Sequence, residues 1–133
     1  MWSRGRDDEP QAVISHESAL SIHDLSDIMP SKIHFTVPAG FRKKTPRGCI
    51  IHWGRVPADE KEQREGFFVT KPLRTILDSA ETSLDIHHLE QAIYEACDKG
   101  IIRVIDIASA EMPEKAREKI MMIFKKMKKQ AAK

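Results

Sequence analysis

Between Ile14 and Ala80 the hydrophobic period of the chain changes from about 3.6 residues to 2 and back, with turn chemistry between the segments. That order fixes a helix–strands–helix layout. Ser15 is an N-cap type, Glu17 sits in the first turn where the helix dipole favours a negative charge, and Ala19, Leu20, Ile22 and Leu25 form one apolar face. Pro30 ends this segment. Lys32 to Val37 then alternates, with Ile33, Phe35 and Val37 opposite Lys32, His34 and Thr36, which is the pattern of a half-buried strand. A basic loop with proline and glycine leads to a second strand, Cys49 to Val56, where Ile50, His52 and Gly54 alternate with Cys49, Ile51, Trp53 and Arg55. A charged connector, Pro57 to Gly66, precedes a short third strand at Phe67 to Val69. Thr70 reads as the cap of a helix whose second residue is Pro72, where a missing N–H costs nothing; Leu73, Ile76, Leu77 and Ala80 are its buried face. Ala12 to Ile14 is either a short leading strand or the run into the first helix.

Helices occupy the rest. Asp85 caps one that turns Leu89, Ala92, Ile93 and Ala96 inward, with Gly100 as its C′ residue. A short helix is expected around Arg103 to Ala110. Pro113 starts the last one, with Ala116, Ile120, Ile123, Phe124 and Met127 on one stripe. The expected fold is a single α+β domain: a sheet of three or four strands in α-β-β-β-α order, compatible with a restriction-endonuclease-like core. Residues 1–11 read as a flexible lead-in, 12–111 as the domain proper, and 112–133 as a basic amphipathic helix and tail. At 133 residues the chain is long enough for its own core.

Composition narrows the class. With 41% hydrophobic and 32% charged residues the chain is of ordinary globular type, which argues against wholesale disorder. No apolar run approaches the ~18 residues of a membrane span and no signal peptide is evident, so the expectation is a cytoplasmic protein with no membrane partner. Cys49 and Cys97 form no CxxC pair and are expected as free, small or half-buried side chains.

The search for catalytic constellations excludes more than it finds. The six histidines show no HExxH or HxxxH spacing. His16 and His23 share a helix face two turns apart, too far for a common ligand; His34 and His52 sit mid-strand as candidate cross-strand neighbours. There is no GxSxG elbow and no phosphate-cradling glycine motif. The three expected strands carry no acidic residue, and the Glu60-Lys61-Glu62 triplet falls in the charged connector, so the acidic ligands of a metal-dependent nuclease are missing. No metal, cofactor or enzymatic activity is expected. What remains is basic: Arg42, Lys43, Lys44 and Arg47 in one loop beside Phe41; Lys71 and Arg74 at the start of the second main helix; and Lys125, Lys126, Lys128 and Lys129 in the C-terminal helix, which also carries Lys115, Arg117 and Lys119. These are the candidate contacts to nucleic acid or to a partner. Each phosphate they neutralised would add about 0.9 to the slope of log affinity against log salt. Arg74 and Asp78, four apart on one helix, are placed to pair.

Ser15-His16, Ser18-Ala19-Leu20, His23 to Asp27, Pro30, Ile33 to Pro38, Arg42 to Arg47, Gly48 leading to His52, Val69-Thr70, Pro72, Arg74-Thr75 and Leu77-Asp78 together carry a resemblance. In order and spacing this stretch is similar to the C-terminal domain of AbiEi-type antitoxins of type IV abortive-infection toxin–antitoxin systems, and the likeness continues loosely through Leu89 to Gly100. Proteins of this kind join a promoter-repressing N-terminal winged helix-turn-helix to this domain, which opposes a nucleotidyltransferase-like toxin without needing a stable complex. The sequence read here starts near that junction and carries no helix-turn-helix, so autoregulation is not expected of it. The resemblance implies a non-enzymatic antitoxin or transcriptional-regulator component of phage defence, DNA-binding in its whole form. The alternative is a nucleic-acid-binding or degenerate, inactive nuclease-like module.

Overall fold

The computed structural model describes residues 12–27, 29–41, 44–82 and 84–131. The expected lead-in, Arg42 and Lys43 lie outside the described residues.

Among the described residues five strands form one mixed sheet: β1 (Val13–Ile14), β2 (Ile33–Val37), β3 (Cys49–Trp53), β4 (Lys61–Arg64) and β5 (Phe67–Thr70), in the spatial order β3-β2-β1-β5-β4. The α+β class is as expected; the sheet is larger than the three or four strands read from the sequence. β1 is central although only two residues long. It pairs antiparallel with β2, Val13 opposite Thr36 and Ile14 opposite Phe35, and parallel with β5. β4 lies within what reads as an exposed connector, which corrects that expectation. Its four residues, Lys61-Glu62-Gln63-Arg64, have no apolar pattern; antiparallel pairing with β5 makes them a strand. The Glu65-Gly66 turn closes this hairpin, and Gly66 supplies the left-handed backbone (φ 83°) that a residue with a Cβ resists. A charged edge strand also discourages edge-to-edge pairing.

β2 and β3 are parallel, so the chain must travel back along the sheet between them. Residues 38–48 make that return, and Phe41, buried, packs with Ala12, Val37, Phe35 and Ile51. The basic loop is therefore a crossover anchored on the sheet face that carries Phe35, Val37 and Ile51. By register, His34, Thr36 and His52 point to the opposite face.

Among the described residues five α-helices complete the fold: α1 (His16–Ile22), α2 (Pro72–Ala80), α3 (Ile86–Asp98), α4 (Val104–Ala108) and α5 (Glu114–Ala131). α1 packs on β2 and α2, while α2 touches α3, α4 and α5. The main core is almost wholly helical: Leu20, Leu25, Ile76, Leu89, Ile93, Ile107, Ile120 and Ile123 are its largest fully buried side chains. The expected stripes on α3 and α5 face it. Asp85 caps α3 by accepting from the His87 N–H at 2.8 Å, and Gly100 follows its C-cap with φ 71°, both as expected. Thr70 does not cap α2. It ends β5, Lys71 takes the cap position without a side-chain bond, and Pro72 is the first helical residue. Cys49 and Cys97 are free and half-buried.

Candidate functional site: a histidine-lined cleft

The chain enters α1 through a strained corner. Ser15 is extended (φ −142°), and His16 has φ 54°, a left-handed conformation that costs a residue with a Cβ about 1–2 kcal/mol. Ser15 holds the cap position but makes no cap bond, because its hydroxyl is committed elsewhere. Thr36 Oγ1 donates to Ser15 Oγ at 2.8 Å, and Ser15 Oγ lies 2.7 Å from His16 Nδ1. Three residues after Ser15, Ser18 Oγ accepts the His34 backbone N–H at 2.9 Å and locks α1 to β2.

The corner lays the His16 ring on the sheet. It stacks on His52 with centroids 3.7 Å apart and planes 14° from parallel. His34 Nδ1 is 3.0 Å from His52 Nε2, and Glu17 Oε2 is 3.6 Å from His34 Nε2. In the register His52 lies opposite Thr36 and His34 opposite Ile50, so the two imidazoles are diagonal rather than direct neighbours. Burial is the first reason the cluster stays uncharged. It pushes His16 from 6.5 down to about 3, with His52, His34 and Arg74 adding to it. His34 and His52 are lowered by burial too; Glu17 pulls both the other way, and His34 adds to the lowering of His52.

One of His34 Nδ1 and His52 Nε2 donates to the other, and Ser15 Oγ, which accepts from Thr36, also bonds His16 Nδ1.

Arg74 on α2 closes the other side. Its Nε donates to Asp78 Oδ1 at 2.8 Å, its Nη1 to Glu60 Oε2 at 3.0 Å and its Nη2 to the Arg55 carbonyl at 3.1 Å. The expected Arg74–Asp78 pair is thus present. The guanidinium is also spent on it, which argues against Arg74 as a free phosphate contact. Asp78 is buried, and its Oδ2 has no protein hydrogen-bond partner among the described residues. Burial raises its carboxyl from 3.8 to about 6, against the pull of Arg74 and with help from Glu81 and Glu60.

His16, His52, Arg74, Asp78 and Glu81 line a cleft of about 500 Å³ with Thr36, Ile51, Trp53, Gly54 and Thr82, at the end of the β2–β3 pair. That size is in the range of small-ligand sites. Trp53 is 61% exposed, an unusual position for so large an aromatic ring.

The other candidate residues are not gathered here. Lys44 and Arg47 are exposed on the crossover loop, and Lys71 is exposed just before α2. Lys125, Lys128 and Lys129 are exposed on the last turns of α5, while Lys126 pairs with Glu90 at 3.1 Å. Lys119 and Arg117 are structural, donating to backbone carbonyls of Thr82 and of Ala108 and Ala110. Among the described residues no group of three or more His, Cys, Asp or Glu is arranged to hold a metal ion, and no helix is long and apolar enough to cross a membrane. Spacing rules miss the His16–His34–His52 cluster because its members come from three elements. The usable signal is strand alternation, which puts His34, Thr36 and His52 on one face.

No family model matches the chain, and no curated protein matches it.

Proposed function

We propose that the chain is a non-enzymatic effector domain of an AbiEi-like antitoxin, a component of a type IV toxin–antitoxin system that counteracts a nucleotidyltransferase-like toxin. One observation carries the reading. Seven residues of the resemblance, scattered from Ser15 to Asp78, meet in or beside one cleft: Ser15 and His16 from the start of α1, His34 and Thr36 from β2, His52 from β3, Arg74 and Asp78 from α2. Others, among them Leu20, Leu25, Val37 and Val69, build the core. In the same reading the sheet is a restriction-endonuclease-like core without its metal-binding acids. β2 and β3 carry no Asp or Glu, and Glu62 on β4 is held by Arg64 at 2.9 Å. The exposed lysines of α5 and the crossover loop favour nucleic acid as a second contact.

Growth rescue tests this. The chain is co-expressed with the product of the neighbouring gene, once that product alone is shown to arrest growth. Rescue is the expected result; continued arrest in the presence of soluble, folded chain would sink the antitoxin reading.

A further inference from the structure

The two edges of the sheet are unlike. β4, at one edge, is almost wholly charged, whereas β3, at the other, carries no Lys, Arg, Asp, Glu or Pro. Neither charge nor proline blunts β3 against pairing. The ladder to β2 fixes which of its backbone groups are spare. The Gly48 carbonyl accepts the Ile33 N–H at 2.9 Å, and the Gly54 N–H donates to the Val37 carbonyl at 3.0 Å. With the parallel register between them, Ile50 and His52 turn N–H and C=O towards β2, and Cys49, Ile51 and Trp53 turn theirs outward. The Cys49 N–H bonds the Pro46 carbonyl at 3.2 Å, while the outward groups of Ile51 and Trp53 meet no backbone partner among the described residues. Beside them the side chains of Ile50, on one face, and Trp53, on the other, are exposed.

Charge says what suits this edge. From residue 28 to residue 58 the sequence holds six Lys and Arg and no Asp or Glu. Lys32, one residue before the Ile33–Cys49 pair, and Arg47 are exposed at the start of β3, and Arg55 is exposed just past its end. Of the acids that approach this half of the sheet, Glu17 faces His34, Glu60 and Asp78 are held by Arg74, and Glu81 lines the cleft. A second copy is the poorer occupant. An antiparallel β3–β3 pair centred on Ile51 sets Arg47 of each copy opposite Arg55 of the other, and like charges opposed across strands destabilise. We propose that the open edge of β3 docks an extended segment of a partner protein as a further strand, with apolar side chains beside Ile50 and Trp53 and acidic residues at its ends facing Lys32, Arg47 and Arg55. The edge stands whether or not the domain opposes a toxin.

Titration of the whole chain with short acidic-flanked peptides tests it, their centres alternating threonine with valine, leucine or phenylalanine. Lysine-flanked versions and a single-stranded oligonucleotide are run beside them. At least one acidic peptide is expected to bind saturably and to slow amide exchange at Ile51 and Trp53, read by NMR, with Ile50 and His52 already protected in the free chain. Trp53→Pro removes an outward N–H without breaking a bond to β2, and should weaken binding about tenfold. Arg47→Glu should shift preference towards the lysine-flanked peptides. Exchange at Ile51 and Trp53 reads the contact in the parent chain, so the test does not depend on the folding of Trp53→Pro. The proposal is overturned if no acidic peptide saturates the chain, if lysine-flanked peptides bind the parent as tightly, or if binding leaves Ile51 and Trp53 unprotected. Binding of the oligonucleotide alone overturns it as well, and so does a dimer in sedimentation that protects the same two amides.

Discussion

At the scale of single residues, the cleft sets two ionisations against each other. His16 is lowered from 6.5 to about 3, so the stability it contributes is present above 6.5 and is lost as pH falls through that window. Asp78 is raised from 3.8 to about 6, so its contribution is present below 3.8 and is lost as pH rises towards 6. His34 and His52, also lowered, add to the His16 side. Unfolding by denaturant is therefore expected to show a net loss of stability from pH 7 to 5, and His16→Phe should flatten that slope; an unchanged slope would mean that the cluster is not buried neutral. Arg74 gives a second test. Removing it leaves the Asp78 carboxylate buried without its cation, so Arg74→Ala should cost about 3 kcal/mol at neutral pH. Asp78→Asn in the same background should recover part of the loss, measured as a double-mutant cycle. The Arg74–Asp78 pair was legible in the sequence because helical spacing is local. The meeting of His34 and His52 was legible too, as mid-strand neighbours on paired strands; that His16 joins them was not, since it depends on a left-handed residue that no local pattern encodes.

At the scale of elements, legibility follows from how much of an element's stability is its own. β2, β3 and β5 announce themselves by alternation or β-branched and aromatic content, and α3 by Asp85 and Gly100 at its ends. β1 is too short to show a period, and β4 is polar throughout; both are strands because of the neighbours they pair with. The alternation of β2 marks Thr36 as part of its polar face, yet Thr36 is buried because α1 covers it, whereas Ile33, on the apolar face, is exposed. Basic residues divide in the same way, into those that build and those that present charge. Arg117 on α5 donates to the carbonyls of Ala108 and Ala110 at the end of α4, where a cation also complements the helix dipole. Arg117→Ala should therefore destabilise by about 1–2 kcal/mol. Lys128→Ala, at an exposed position, should stay within about 0.5 kcal/mol of the parent. Thermal melts of the two variants decide it, and equal midpoints would show that the α4–α5 clip contributes nothing.

At the scale of the whole molecule, the main core and the candidate site lie mostly in different elements and share α2. The core from Leu20 to Ile123 is built from helices and the loops that join them, while the sheet, with its smaller cluster around Val37 and Phe41, holds the cleft together with Arg74 and Asp78 of α2. Ile93→Ala, in the helical core, should cost about 2–5 kcal/mol and lower function only by depleting folded protein. Changes at the exposed rim of the cleft should do the reverse. The helix–strands–helix plan was readable because periodicity reports which faces are buried. The cleft was not, because it is made where faces from distant segments meet. On the proposed reading, the resemblance residues that meet at the cleft serve function rather than folding. Growth rescue and melting temperature measured together for His52→Phe beside the parent chain test this most directly. The expected result is loss of rescue with the variant melting within a few degrees of the parent. Full rescue by folded His52→Phe would contradict it.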